Sequence, residues 1–314
     1  MEKFSSIERV VGKVTKEDKA EIINIMGSTF ENQDFKDKSL TEAEREKIPK
    51  EIEIINLADN ATNEIRKKYG MKKFDIPPKN IHIIKKDSWD TDDNEGRLIG
   101  GYFDQKGQRI IMRESLNRIR FMKTVFHEML HFKSYNALQV ENVSNSKVEP
   151  YRSGISGASR NYSTGYLHSI NEAVTEELTK RFSSKLYDNP IFAEEVSKTK
   201  EALAAHSTNI QGKPLPKNAY EDVYYASDSK FGLQCFEHTY KSERDALQLL
   251  IDKLFERNKE NYNNQEEIFE LFAKGFMTGN ILPIGKLIDK TFGKGTLRKI
   301  GDNNKNTYKI VESL

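Results

Sequence analysis

The run "LNRIRFMKTVFHEMLHFKSYNAL", residues 116–138, constrains the rest of the chain more than any other segment. Ile119, Met122, Val125, Phe126, Met129 and Leu130 recur at helical spacing and cover nearly the whole circumference, the pattern of a helix enclosed by protein. Ser115 is placed to cap its start. The same helix carries His127, Glu128 and His131, and burying two imidazoles and a carboxylate without partners is costly. The chain must therefore supply those partners and be large enough to surround the helix. At 314 residues it suffices for one large domain, or for two that share a core.

Composition supplies the filling for such an enclosure: 36% of residues are hydrophobic, and 17 Phe with 13 Tyr provide bulky groups. The 50 Lys and Arg against 48 Asp and Glu leave an interspersed net charge of +2, so no field gathers a polyanion and nucleic acid is not an expected partner. Residues 1–11 contain no apolar signal core, and no stretch approaches the roughly 18 apolar residues a membrane helix needs. A cytoplasmic location without a membrane partner is expected. Cys235 is the single cysteine, which excludes an intrachain disulfide framework and a metal site built from thiolates. Beside Leu233 and Phe236 it is expected to be a small buried hydrophobe. Any metal is left to carboxylates and the six His.

Residues 1–40 read as one short helix followed by polar chain, a peripheral lead-in. Thr41 and Glu44 have capping-box spacing, and Ile48, Ile52, Ile55, Leu57, Ala61 and Ile65 recur at roughly helical intervals up to Gly70, which predicts a long amphipathic helix over 41–69. Pro77 and Pro78 break the chain before a short strand, "NIHIIKK", and an acidic loop, "DSWDTDDNEG". "RLIGGYFDQKGQRIIMRE" reads as a hairpin turning at 105–107, directly before the enclosed helix. A polar loop over 139–165, with one strand candidate in "YRSGISG", separates that helix from the next, "LHSINEAVTEELTKRFSSKL". Further helices are predicted near 190–205, 234–258, 264–275 and 282–291. The fold class is α+β: a small mixed sheet with a backing helix and the enclosed helix, followed by a mainly helical C-terminal subdomain.

"HEMLH", residues 127–131, sets two His four apart on a helix, about 40° apart around the axis and about 6 Å along it, so both can reach one ion. Zinc suits the pair, since it accepts neutral imidazole and in catalytic sites has three protein ligands and an open position. Glu128, next to the first His, can take a proton from water there. A chance match arises in roughly one sequence in a hundred of this composition, and the apolar setting weighs against chance. In "HSINEAVTEE", Glu172 and Glu176 lie four apart on one helical face and repel unless a cation relieves them. Glu172 would then be the third ligand and Glu176 the acid accepting the free ring N–H of a ligating His. His168, four residues before Glu172, competes for the third place.

"HEMLH" followed by "NEAVTE" resembles the gluzincin metallopeptidases related to thermolysin, over roughly residues 80–182, and is closer to the compact minimal gluzincins than to the large secreted ones. The metzincin pattern is excluded, because Ser134 and Ala137 stand where it needs Gly and a third His. The resemblance implies a zincin-like catalytic domain over 41–182, with 1–40 as its lead-in and 183–314 as a helical subdomain closing the cleft. It implies a zinc metalloendopeptidase with one catalytic Zn2+ on His127, His131 and Glu172, a zinc-bound water activated by Glu128, Glu176 as the outer acid and Asn171 as a positioning residue. The 40 residues between His131 and Glu172 form a longer insert than thermolysin has. An oxyanion donor is implied downstream of the glutamate helix, where His238, Tyr240 and Arg244 are candidates. Tyr240 and Arg244, four apart, would present a phenol and a guanidinium on one helix face. A peptide or protein substrate is expected to add as a strand along "GGYFD", at Gly101, Tyr102 and Phe103, with Gly100 and Gly101 permitting close approach. The alternative is a catalytically silent zincin-fold binding protein with a structural metal. Glu128 stands against it, since a structural site has no use for a base beside an open position.

Overall fold

The computed structural model describes residues 5–33, 38–89, 100–140, 148–161, 163–209, 211–216, 218–230 and 232–314. β1 (Ile7–Gly12) leads into α1 (Lys16–Asn32), whose start is closed by a reciprocal cap between Thr15 and Asp18. α2 (Lys38–Ala43) and the two-residue β2 (Glu44–Arg45) precede α3 (Pro49–Lys68). Then come β3 (Ile81–Ile84), the hairpin of β4 (Gly101–Asp104) and β5 (Arg109–Arg113), and the enclosed helix α4 (Arg118–Lys133). One four-stranded sheet has the order β2-β3-β5-β4, with β3 and β5 parallel and the other pairs antiparallel, so β4 lies at its edge.

After α4 the chain forms β6 (Asn136–Val140), β7 (Val148–Ser153), β8 (Ser156–Ala158) and β9 (Gly165–Tyr166). With β1 they make a second mixed sheet, ordered β1-β6-β7-β8-β9, in which only the β1–β6 pair is parallel. The glutamate helix is α5 (His168–Ser183), followed by α6 (Ala193–Ala205), a separate hairpin of β10 (Val223–Ser229) and β11 (Gly232–Glu237), and the helices α7 (Lys241–Glu256), α8 (Gln265–Thr278), α9 (Leu282–Phe292), α10 (Thr296–Gly301) and α11 (Thr307–Glu312). The class is α+β, with small sheets and several helices. Among the described residues no helix is long and apolar enough to cross a membrane.

α4 runs through the centre of the main core, in contact with α3, α5, β4 and β5. Met122, Val125, Phe126, Met129, Leu130 and Phe132 have no exposed surface. Phe132 stacks on Phe103 of the edge strand at 4.4 Å between ring centroids and meets Phe74 edge-on at 5.5 Å. The enclosing pattern read from residues 116–138 therefore describes a real enclosure, but the helix is shorter than that run. Its N-cap is Asn117, not Ser115, because the Asn117 side chain accepts the Arg120 amide. At the other end the Asn136 side chain donates to the carbonyls of His131, Phe132 and Ser134, closing the helix so that 136–140 can enter the second sheet.

Other boundaries also move. The helix predicted over 41–69 begins only at Pro49, which suits a first helical turn because its missing N–H would have no partner there. The preceding Arg45 is drawn into the sheet instead, paired with Glu51 and Glu114 at 2.6 Å each. Residues 5–33 are not a peripheral lead-in. β1 pairs with β6, Phe30 joins the main core, and the Gln33 side chain donates to the carbonyls of Gly107 and Gln108 at the β4–β5 turn. Among the described residues the polar stretch over 139–165 holds β7 and β8 entire and the ends of β6 and β9, rather than one strand, and the helix predicted from 234 gives way to β11 before α7 starts at Lys241. Most of the acidic loop, residues 90–96, and the first three residues of the predicted hairpin segment, 97–99, lie outside the described residues.

Candidate metal centre

His127, His131 and Glu172 come together between α4 and α5. His127 Nε2 lies 3.2 Å from His131 Nε2 and 3.4 Å from Glu172 Oε2, and His131 Nε2 lies 3.3 Å from the same oxygen. A tetrahedral ion bound by nitrogen and oxygen at about 2.0–2.1 Å has its donor atoms about 3.3–3.4 Å apart. The triangle thus has the size of one face of such a tetrahedron, and a two-imidazole, one-carboxylate donor set is chemically suited to zinc. His168 stands outside it: its ring is 65% exposed and its Nδ1 is 3.7 Å from the other Glu172 oxygen.

Glu176, one turn beyond Glu172, has no solvent exposure and four partners. Its Oε2 faces His127 Nδ1 at 2.9 Å, which turns Nε2 of the same ring toward the triangle. Its Oε1 meets Lys123 Nζ at 2.7 Å, His238 Nδ1 at 2.9 Å and the Thr239 amide at 3.0 Å. Burial alone would raise the Glu176 carboxyl, but the Lys123 charge and the hydrogen bonds from His127 and His238 hold it well below the ordinary range. Burial likewise opposes ionisation of Glu172, but the adjacent His131 and His127 outweigh it and hold this carboxyl too well below the ordinary range. For His127, burial pulls down, yet hydrogen bonds to Glu172 and Glu176 and the charge of Glu128 prevail and push it up to about 10.

Glu128 is buried beside the triangle without being part of it. Burial raises its carboxyl above the ordinary value. His127 and His131 pull the other way, Glu172 adds to the rise, and the backbone amide of Phe103 on the edge strand lowers it. Glu128 therefore lies between the triangle and β4, with Phe103 at hand on the edge. Gly101, two residues earlier, already brings β4 against Thr124 of α4, where an added Cβ would lie 3.2 Å from the Thr124 methyl. Tyr102 is 40% exposed, next to Trp89 at 6.3 Å between ring centroids.

The downstream candidates separate. Tyr240 occupies the position before α7 with φ +55°, a left-handed conformation that a residue with a side chain seldom adopts. It lies parallel to His127, with centroids 5.8 Å and planes 14° apart. Burial, then the charges of Glu172, Glu128 and Glu176, raise its phenol far above the ordinary value, so the hydroxyl keeps its proton. His238 is held on Glu176 rather than on the triangle, and burial lowers its pKa despite that carboxylate.

Arg244 does not join Tyr240 on one face. Its guanidinium is taken up by Glu177 at 3.1 Å, Asp222 at 3.0 Å and the Thr239 and His238 carbonyls, so it secures the loop that carries His238 and Tyr240. Asn171 is a tie between elements: its Oδ1 accepts the Ile155 amide at the β7–β8 turn, where Gly154 at φ +59° leaves no room for a side chain. Cys235 is exposed on β11, not buried: the strand belongs to a separate two-stranded hairpin, and four of its six residues are exposed.

Sequence reasoning missed Lys123 and Thr239. Lys123 lies one turn before His127 on the face that already carries both imidazoles, a spacing that could have marked it. Nothing local marks Thr239. Also missed was the way α5 is held at its start: Leu167 donates its amide to the Gly301 carbonyl, the Ser169 hydroxyl to the Asn304 carbonyl, and the Asn304 side chain to the Gly165 carbonyl. Comparison with family models, curated proteins and solved structures finds no match.

Proposed function

We propose that this chain is a zinc-dependent metallopeptidase of zincin-like fold that hydrolyses peptide bonds, with His127, His131 and Glu172 holding the ion and Glu128 as the general base. The observation that carries the proposal is the 3.2–3.4 Å triangle of donor atoms with a buried carboxylate beside it that is not one of its corners. When bound, the ion supplies a Lewis acid at an open position, able to make water acidic near pH 7 and to polarise a carbonyl oxygen.

The protein's own groups do the rest. Glu128 accepts a proton from the attacking water and passes it to the amine nitrogen that leaves, a task suited to a carboxyl whose pKa burial has raised. Tyr240, kept protonated by its surroundings, donates to the oxygen on which negative charge develops. Glu176 holds the His127 ring in orientation through Nδ1. An extended peptide adds along β4, the edge strand whose Phe103 amide acts on Glu128.

Zinc per chain, measured on the wild type, Glu172→Ala and Glu128→Gln and paired with cleavage of a peptide library, tests this. About one zinc in the wild type and in Glu128→Gln, a marked loss in Glu172→Ala, and cleavage by the wild type alone are expected. A folded wild type that takes up no zinc on reconstitution overturns the proposal, as does a Glu128→Gln protein that still cleaves at the wild-type rate.

A further inference from the structure

Two glutamates of α5 reach the same histidine from different sides. Glu172 Oε2 is 3.4 Å from Nε2 of His127, and Glu176 Oε2 is 2.9 Å from its Nδ1. Both are carboxylates on one helical face, and either type of oxygen is a good ligand for a hard or borderline cation. Their chemistry does not distinguish them, but their surroundings do. Lys123 puts its ammonium 2.7 Å from Glu176 Oε1 and 3.2 Å from the Thr239 hydroxyl, over the Tyr224 ring at 5.3 Å from its centroid. The Lys123 side chain is 7% exposed and that of Glu176 not at all. With His238 Nδ1 and the Thr239 amide also on Oε1 and His127 Nδ1 on Oε2, the Glu176 carboxylate is held by three donors on one oxygen and one on the other.

We propose that Lys123 is a positioning residue that decides which glutamate serves the metal: by pairing with Glu176 it anchors that carboxylate on Nδ1 of His127, turns Nε2 toward the ion and leaves Glu172 as the ligand. The proposal rests on the metal reading of His127, His131 and Glu172. Its physical basis is charge. A buried carboxylate keeps its place when a buried cation opposes it. Without Lys123 the remaining partners of Glu176 are an amide and two imidazoles, and a metal ion in the triangle becomes the strongest cation within its reach. Lys123, His127 and His131 lie at i, i+4 and i+8, so a single helix face carries both the counter-charge and the two ligands, and their relative position follows from the helix repeat.

The test uses the full chain as Lys123→Met, Lys123→Arg, Glu176→Gln and the double variant Lys123→Met/Glu176→Gln. Zinc affinity is read by competition with a chromophoric chelator, and coordination by the visible spectrum of the cobalt(II) form. Lys123→Met is expected to lose about tenfold to hundredfold in zinc affinity and to change the cobalt spectrum. Lys123→Arg is expected to recover the wild-type spectrum and much of the affinity. In the Glu176→Gln background the lysine substitution is expected to add little, because the charge it opposes is gone. That last comparison also carries the test if Lys123→Met alone does not fold. Wild-type affinity and spectrum in Lys123→Met, or losses that simply add in the double variant, overturn the role of Lys123 and leave the metal site standing. A wild type that binds neither zinc nor cobalt overturns the metal reading and this one with it.

Discussion

α4 carries two buried lysine–carboxylate pairs, one toward each of its helical neighbours. Lys123 meets Glu176 of α5 at 2.7 Å, and Lys133 meets Asp59 of α3 at the same distance. Distance and burial do not tell them apart; what else each carboxylate holds does. Glu176 also bonds His127 and His238, so its pair belongs to the candidate metal centre. Asp59 accepts the backbone amide of Ile76 and an Asn63 side-chain N–H, Lys133 donates as well to the Asp59 carbonyl, and Arg66 donates to the Lys133 carbonyl. Every partner on that side is scaffold. One helix thus has a face that docks it and a face that carries the candidate metal centre, and the same pair of residue types serves both.

Perturbations that touch one face and spare the other sharpen this contrast. The largest effect is expected from Glu128→Gln, a drop in peptide hydrolysis of about 10²–10⁴-fold with zinc content and urea midpoint unchanged, read by peptidase assay, elemental analysis and denaturation. Lys133→Met is the converse: about 3–5 kcal/mol less stable in urea, because Asp59 stays buried without its cation, with one zinc per folded chain retained. Loss of zinc from that folded variant would break the division between the faces. Tyr240→Phe should lower kcat by about 10²–10³-fold if its hydroxyl meets developing charge, at nearly unchanged stability.

A pH series separates the faces again. Burial is the main force on Lys133 and lowers its pKa from 10.5 to about 8. Between these values the unfolded chain binds a proton that the folded one does not, so stability should rise with pH across that window, by about 3 kcal/mol from this residue, and be flat in it below about pH 8. Lys133→Met should lack the rise, and Lys123→Met should keep it. The smallest change comes from Asn304→Ala, which removes the side-chain bond to the Gly165 carbonyl and the acceptor of the Ser169 amide at the start of α5 while keeping the backbone carbonyl that Ser169 Oγ uses: about 1 kcal/mol in stability, with a modest weakening of zinc binding as Glu172 loses part of its rigid support.

The motif residues were legible because helix geometry is local. Once 127–131 is helical, i and i+4 must face one way, and the same holds for Glu172 and Glu176. The β4–β5 hairpin was legible for a similar reason, with its turn between two short apolar arms. Elements whose partners lie far along the chain were not. β1 pairs with a strand some 130 residues away, and nothing within residues 7–12 announces it. Residues 136–140 continue an apolar pattern that suits a helix as well as a strand, and the Asn136 side chain, turned back on three carbonyls, decides between them. β11 lies where the sequence predicts helix: four of its six residues are exposed and none is buried, so the alternation that marks a strand is weak.

By itself the sequence determined that two imidazoles and a carboxylate share one enclosed helix and that two further carboxylates share another, since backbone hydrogen bonding between near neighbours sets those angles. Only the tertiary structure decided which carboxylate meets Nε2, that Lys123 is inside rather than in water, and that Tyr240 and Arg244 part company. Those outcomes depend on how α4, α5 and the loop before α7 pack together, and side-chain volume and buried charge across long chain separations set that packing, which no local repeat encodes.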